Sequence, residues 1–160
     1  MRRMIIAFSL AASAVVPAFA SDASDVMAVV HQYADAIDKN DMKAALAACA
    51  DQAVIVDDFA PHLWSGAGAC GKWANDFDAD NKKNKITDAK VTLGKARHAD
   101  VTGDRAYVVV PASLTFKMDG KAMQEPNSVW TFVLQKSGGS WRITAWAWGA
   151  GKQAAAKSGA

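Results

Sequence analysis

The hydrophobic positions near the start of the chain are spaced for two helices. Apolar side chains recur three or four residues apart over residues 26–37, which predicts a helix with one buried face. Ser24 and Asp25 before this stripe are good helix starters, and Asn40 suits the helix end. Asp41 can then cap a second, shorter helix.

The spacing of apolar residues then changes and predicts a strand, a third helix and several hairpins. Residues 53–58 alternate, with Ile55 and Asp57 on one face of the predicted strand. Residues 70–77 return to helical spacing, and after residue 86 apolar and polar positions alternate between turn signals. Helices followed by hairpins predict an α+β fold with an antiparallel sheet that has its helices on one side.

The two ends of the chain differ in composition from its middle. After two arginines, residues 4–16 form an apolar stretch, and residues 18–20 are an Ala-x-Ala cleavage motif. The stretch is shorter than the roughly 20 residues of a spanning helix, which disfavours the alternative of an uncleaved anchor. We predict a signal peptide over 1–20, one domain over 21–150 and a flexible tail over 151–160, which has no bulky apolar side chain. The expected location is periplasmic or secreted.

One proline and two cysteines restrict the chain locally. Pro126 lies inside an alternating segment and cannot donate to a ladder, so we expect it at a bulge or strand start. Cys49 and Cys70 both lie in the predicted exported part. They are open to two interpretations: a disulfide, which an oxidising compartment permits, or two buried thiols that pack as small apolar groups. The sequence leaves both open, because the distance between the two Cα atoms decides.

Charge and composition narrow the classes of partner. The chain has 160 residues, of which 51% are hydrophobic, and this suits one globular domain. Its 18 basic and 16 acidic residues would become equal in number after loss of the first twenty residues. A domain without net charge has no long-range attraction for phosphate backbones or anionic membranes. We therefore expect no nucleic-acid partner, and no membrane partner after signal cleavage.

Two short motifs imitate ligand sites. Residues 66–71 match G-x-G-x-x-G, but the hairpins that follow do not supply the βαβ unit of a dinucleotide site. Asp76, Asp78 and Asp80 resemble the start of a calcium loop that here lacks its glycine at position six and its glutamate at position twelve. We therefore expect no cofactor and no metal.

Three stretches together resemble the nuclear transport factor 2-like superfamily, in its SnoaL-like and ketosteroid-isomerase-like branches. They are the first helix with Val29-Val30-His31-Gln32-Tyr33 and the Asn40-Asp41 turn, the strand Ala50-Asp51-Gln52-Ala53-Val54-Ile55-Val56-Asp57, and the closing hairpin from Trp130 to Trp148. The resemblance covers nearly all of the predicted mature chain. It implies a cone-shaped, cystatin-like α+β barrel, in which a curved antiparallel sheet wraps around a long N-terminal helix and leaves an apolar pocket.

The resemblance also implies two catalytic side chains. Tyr33 falls where ketosteroid isomerases, a standard example of pKa tuning, keep the tyrosine that hydrogen-bonds the developing enolate. Asp57 falls on their proton-shuttling aspartate. Such chemistry requires a base near a proton next to a carbonyl and a donor for the oxygen that gathers charge. Where the isomerases place a second, protonated carboxylic acid, this sequence has Trp130, which argues against steroid isomerisation.

Six residues are candidate ligand contacts, since aromatic and polar groups at a pocket suit a flat or apolar ligand. They are His62, Trp64, Trp73, Asn127, Trp130 and Trp148. Each candidate also has a purely structural interpretation. Tyr33 can be a core tyrosine, Asp57 can end a strand and cap the following turn, and the tryptophans can pack on the sheet.

The sequence therefore predicts an exported domain that binds a small, largely apolar ligand in the cone pocket. The enzymatic interpretation is cofactor-free isomerisation, hydration or dehydration next to a carbonyl, with Asp57 as base, Tyr33 as donor, and His62 or Trp130 assisting. The alternative is a non-catalytic ligand-binding or homodimeric assembly module with a vestigial pocket. Asp57 and Tyr33 converging on one point of a pocket would favour the enzyme, whereas Asp57 directed to solvent would favour the alternative.

Overall fold

The computed structural model describes residues 18–156, which form three helices and eight strands. The helices are α1 (Ala18–Asp38), α2 (Met42–Ala48) and α3 (Ala69–Lys83). The strands are β1 (Cys49–Val56), β2 (Leu63–Ala67), β3 (Ile86–Leu93), β4 (His98–Thr102), β5 (Arg105–Met118), β6 (Lys121–Ser137), β7 (Ser140–Gly149) and β8 (Ala154–Ala155). Most of the predicted signal peptide, residues 1–17, lies outside the described residues. No helix within 18–156 has the length and apolar character needed to cross a membrane.

The α+β fold predicted from the sequence is confirmed, with one difference in the sheet. The strand order is β2-β1-β7-β6-β5-β3, while β4 pairs with β5 and β8 with β6. All pairs are antiparallel except β1 with β7, which makes the sheet mixed rather than purely antiparallel. These two strands lie far apart in the sequence and are joined by no hairpin, so no short turn forces them to run in opposite directions.

The first helix provides the centre of the core, as its apolar stripe predicts. Val26, Val30 and Tyr33 are almost completely buried, and α1 contacts β3, β4 and β7. Contacts with strands from such different places in the sheet require the sheet to curve around the helix. The helix ends at Asp38, and Asn40 in the turn that follows has a left-handed φ of 54°. The Oδ1 atom of Asp41 accepts from the amide of Ala44 to cap α2.

A bulge in β6 decides which of its side chains point inward. Pro126 and Asn127 together lie opposite Ser113, because the register with β5 shifts between Ala112 and Leu114. Asn127 adopts a left-handed φ of 63° there. The extra residue places both Glu125 and Ser128 on the buried side, although simple alternation would put them on opposite faces. The prediction of a bulge or strand start at Pro126 is confirmed.

Residues 151–156 differ from the predicted flexible tail. The amide of Gly151 donates to the side chains of Glu125 and Ser128, and β8 adds a short strand to β6. A Cβ atom at position 151 would lie only 1.9 Å from the carbonyl oxygen of Pro126. The absence of a side chain therefore lets this segment approach the sheet closely, and backbone contacts replace the apolar packing that the composition lacks. Residues 157–160 lie outside the described residues.

A disulfide between Cys49 and Cys70 joins the start of β1 to the first turn of α3. Their Cα atoms are 6.6 Å apart. Of the two interpretations of these cysteines, the structure has the disulfide. Because β1 leads to Asp57 and α3 carries Trp73, the covalent bond connects the two elements that frame the site described next.

Candidate functional site

A cavity of about 440 Å³ lies between the end of α1, one face of α3 and the inner face of the sheet. Its walls are rich in aromatic rings, contributed by Phe59, Trp73, Phe77, Phe116, Trp130, Trp146 and Trp148. Carboxyl groups line it as well, from Asp38, Asp57, Asp58, Asp80 and Glu125. A largely apolar cavity with a few polar groups is the usual form of a small-molecule site.

Asp57 lies on the wall of this cavity, directly after β1. Its position follows from the alternation of β1, which buries Ile55 and turns the next-but-one residue to the same side. The Oδ2 atom accepts a hydrogen bond of 2.8 Å from Nε1 of Trp73, and Oδ1 accepts one of 2.9 Å from the amide of Asp58. The carboxyl group is therefore fixed by two donors and still borders the open volume.

Burial makes Asp57 a stronger base than an ordinary aspartate. Loss of solvent raises its pKa from 3.8 to about 7, and the hydrogen bonds from Trp73 and Asp58 only partly oppose this rise. A carboxyl group with a pKa near neutrality is ionised often enough to accept a proton and basic enough to hold it.

Tyr33 does not line the cavity. The side chain is only 1% exposed and packs against the rings of Trp130, Phe132 and Trp146. Its hydroxyl accepts a 3.0 Å hydrogen bond from Nε1 of Trp146, and burial raises the pKa of Tyr33 far above its ordinary value. The structure therefore places Tyr33 in the core beside the cavity wall and does not bring its hydroxyl and Asp57 to a shared open point.

Trp130 has a buried indole N–H without a hydrogen-bond partner in the described part of the chain. The residue lines the open volume and is 3% exposed, and its Nε1 has no hydrogen-bond partner within residues 18–156. Rings of Tyr33, Trp146 and Trp148 surround it at centroid distances of 5.2–5.7 Å. A buried N–H without a partner is unfavourable, and Nε1 of Trp141, which does not line this cavity, is in the same state.

Glu125 is the most deeply buried of the polar cavity residues that the sequence analysis did not propose for the site. It is 1% exposed, and its Oε1 accepts from the Ser128 hydroxyl, the Trp148 indole and the Gly151 amide at 2.8–3.1 Å. Its Oε2 accepts from the side-chain amide of Gln153 at 3.1 Å. All four donors are neutral. The sequence signal for this inward position was the proline that follows it, since a bulge exchanges the faces of a strand.

Three of the predicted ligand contacts lie away from the cavity. His62 is exposed in the loop after β1, with its ring nitrogen Nδ1 3.2 Å from the Asp57 carbonyl. Trp64 is buried between elements and donates from Nε1 to Oδ2 of Asp76 at 2.8 Å. Asn127 is exposed, because the bulge turns it outward. Trp73, Trp130 and Trp148 do line the cavity, as predicted.

The cavity is acidic and holds no metal-ligand cluster. None of the described residues that line it is a lysine, arginine or histidine. Burial raises the pKa of Asp58, and the neighbouring charge of Glu125 raises it further. Within residues 18–156 no group of three or more His, Cys, Asp or Glu side chains is placed to hold a metal ion. The site can therefore bind an apolar molecule and accept a proton at Asp57.

Comparison with known families agrees with the resemblance read from the sequence. A family model described as a SnoaL-like domain matches residues 26–147. No curated protein sequence matches this chain significantly. The matched range contains α1, the Asp57 strand and the hairpin of β6 and β7.

Solved structures share the fold at low sequence identity. A hexachlorocyclohexane dehydrochlorinase from Novosphingobium barchaimii is 10% identical, with a TM-score of 0.73 over 86% of this chain and 92% of that one. A ketosteroid isomerase-like protein from Erwinia carotovora atroseptica is 18% identical, with a TM-score of 0.66 over 82% and 98%. A protein of unknown function with a cystatin-like fold from Nostoc punctiforme is 15% identical, with a TM-score of 0.62 over 82% and 92%. At such identities the likeness establishes the cystatin-like architecture alone.

Proposed function

The chain belongs to the SnoaL-like domain family, and from this premise we propose that it is a cofactor-free acid–base enzyme acting on a small, largely apolar molecule. Asp57 takes a proton from a carbon next to a carbonyl group, and the Trp130 indole stabilises the oxygen on which negative charge collects. The observation that carries the proposal is the Asp57 carboxyl group, fixed at the cavity wall with a pKa raised to about 7.

The proposed step balances without any added group. The C–H bond breaks and its electron pair forms the C=C bond of an enolate, while the C=O π pair moves onto the oxygen and the proton goes to an Asp57 oxygen. Return of this proton to a different carbon gives an isomer, and loss of a leaving group from the neighbouring carbon gives an elimination product. Two proteins with a similar fold support this proposal. One is named a hexachlorocyclohexane dehydrochlorinase and the other a ketosteroid isomerase-like protein.

The assignment of the donor differs from the one that the family resemblance implied. Tyr33 was expected to hydrogen-bond the developing oxyanion, but its buried hydroxyl, which accepts from Trp146, does not line the cavity. The Trp130 N–H has no such partner within the described chain. Because Trp130 lines the cavity and Tyr33 does not, and because a donor already in place best stabilises a developing charge, Trp130 is the better candidate.

Hydrogen–deuterium exchange tests the proposal without knowledge of the natural substrate. Cyclohexanone in D₂O exchanges the protons next to its carbonyl, and NMR measures the rate with and without protein. We expect Asp57→Asn to reduce the protein-dependent exchange by about 10²–10⁴-fold, the range for a general base. Asp100→Asn is the matched control, because Asp100 is exposed on β4, away from the cavity. Equal exchange by wild type and a folded Asp57→Asn protein would contradict the proposal.

A second candidate function is a non-catalytic, homodimeric binding module. The observation in its favour is an exposed apolar patch on the outer face of β1 and β2, formed by Val54, Val56 and Leu63. Val56 and Leu63 are direct cross-strand neighbours there. A dimer that Leu63→Lys converts to a monomer in size-exclusion chromatography, together with no exchange activity, would favour this candidate over the enzyme.

A further inference from the structure

The carboxyl groups of the cavity differ from the other acidic side chains in their partners. Six aspartates elsewhere lie within 4.0 Å of a lysine or arginine nitrogen, namely Asp22, Asp35, Asp78, Asp88, Asp104 and Asp119. Within the described range, none of the five carboxyl groups that line the cavity is in such a pair. Glu125 receives only neutral donors, although it is buried. Of these five residues Glu125 is buried, Asp58 is exposed and the other three are half-buried, and with no cationic side chain in the lining the cavity has an excess of negative charge.

The aromatic side chains of the cavity wall also suit a positively charged ligand. Trp73, Trp130, Trp146 and Trp148 supply electron-rich rings around the same volume. A cation close to the face of such a ring is attracted to it, and the attraction is stronger where water is excluded. A hydrated metal ion would make poor use of rings, and no metal-ligand cluster is present among residues 18–156. The fitting charge is therefore one carried by an apolar organic molecule.

We infer that the cavity takes an organic ammonium ion, with its charge directed to the carboxyl groups and its apolar body against the tryptophans. The unpartnered indole N–H of Trp130 adds a place for one acceptor oxygen on the same molecule. This inference rests on the proposed function for the use of the cavity and names the substrate class more narrowly, as an amine that carries a carbonyl group. An anionic ligand is excluded by the same charges, because like charges at close range repel.

Binding of matched probes tests the inference directly. Phenethylamine and 2-phenylethanol have nearly the same shape and differ in charge, and phenylacetate supplies the opposite charge. At about pH 8 the amine is a cation and the carboxyl groups are ionised. We expect calorimetry to show phenethylamine binding at least about 10-fold more tightly than 2-phenylethanol, with an affinity that falls as salt is added. Phenylacetate should bind more weakly than either probe.

A double variant shows whether the cavity charges cause the preference. Asp58→Asn with Asp80→Asn should bring the affinities for phenethylamine and 2-phenylethanol to within about 3-fold of each other, since two of the attracting charges are gone. Asp51→Asn with Asp100→Asn removes two exposed charges outside the cavity and should leave the preference unchanged. Circular dichroism confirms that each variant is folded.

The outcomes separate this inference from the proposed function. Equal affinity for amine and alcohol, or tighter binding of phenylacetate, would overturn the ammonium inference and leave the exchange chemistry intact. Absence of probe binding up to about 1 mM together with active cyclohexanone exchange would also overturn the inference alone. If neither binding nor exchange occurs, both fail. A preference for the amine without exchange would support the ammonium site and contradict the enzyme.

Discussion

At the scale of single residues, Asp57 couples the stability of the fold to pH. Burial raises its pKa from 3.8 to about 7, so the folded protein binds a proton that the unfolded chain releases between these values. The free energy of unfolding must then fall as pH rises through this window and level off above it, by at most about 4 kcal/mol for a shift of about three units. The Asp57 contribution is complete below the lower value and lost above the higher one.

Asp57→Asn removes this dependence. We expect the variant to gain stability relative to wild type between about pH 4 and pH 7, because its neutral amide has no charge to desolvate and its oxygen can still accept from Trp73. Urea unfolding of both proteins across this range provides the measurement. A difference in unfolding free energy that stays constant with pH would show that Asp57 does not carry the raised pKa.

Trp73 sets how far that pKa rises. Its indole donates to Oδ2 of Asp57 and favours the ionised carboxylate, against the larger effect of burial. Trp73→Phe keeps a ring in the wall but removes the donor, which should move the pH profile of exchange upward by about one unit. Trp64→Phe is the control, since Trp64 donates to Asp76 outside the cavity. An unchanged profile in a folded Trp73→Phe protein would remove Trp73 from the mechanism.

At the scale of elements, the segment after β7 closes one side of the cavity. Gly151 donates to Glu125, and Gln153 both donates to Glu125 and lines the open volume. Gly151→Ala should destabilise the protein by about 1–3 kcal/mol, because the new methyl group would meet the backbone of Pro126 at 1.9 Å. Gly71→Ala, on helix α3 with no atom nearer than 4.0 Å, should be neutral or slightly stabilising. Thermal unfolding of both variants tests this difference.

These elements also show which structural features the sequence predicts and which it does not. Periodicity predicted the α1 stripe and the inward Asp57, because both depend on local geometry. It did not predict Glu125 at the cavity, since one bulge reverses the faces of a strand. It also did not predict the parallel pairing of β1 with β7 or the docking of Gly151. Each of these depends on contacts between distant segments, which local spacing of apolar residues does not encode.

The same limit separates the predicted site from the observed one. Trp73, Trp130 and Trp148 line the cavity, while Trp64 is engaged with Asp76 elsewhere, although all four are aromatic residues in apolar surroundings. Residue type alone gives no means to separate them. Tyr33 was assigned its role by alignment with a family, yet the position of its hydroxyl depends on Trp146, which is distant in sequence.

At the scale of the whole molecule, the Cys49–Cys70 disulfide bears on both the stability of the fold and the compartment in which the protein folds. We propose that the chain is exported, which the signal-like first twenty residues support and the Cys49–Cys70 disulfide suits. Closing a loop of about twenty residues limits the unfolded chain and should stabilise the fold by about 3 kcal/mol. Loss of the bond would then loosen β1 from α3, and with them the contact between Asp57 and Trp73.

Protein produced from the full sequence in a bacterium with a periplasm tests both the export of the chain and its disulfide. We expect the exported product to begin at Ser21 by mass spectrometry and to show no reactive thiol when unfolded without reductant. Replacing both cysteines by alanine should lower the unfolding free energy by about 3 kcal/mol and should reduce exchange at Asp57 by a smaller factor than Asp57→Asn does, because the base itself is retained. Two reactive thiols in exported wild-type protein would contradict the disulfide. An intact first segment on protein found only in the cytoplasm would contradict export and leave the cavity chemistry to be judged by exchange alone.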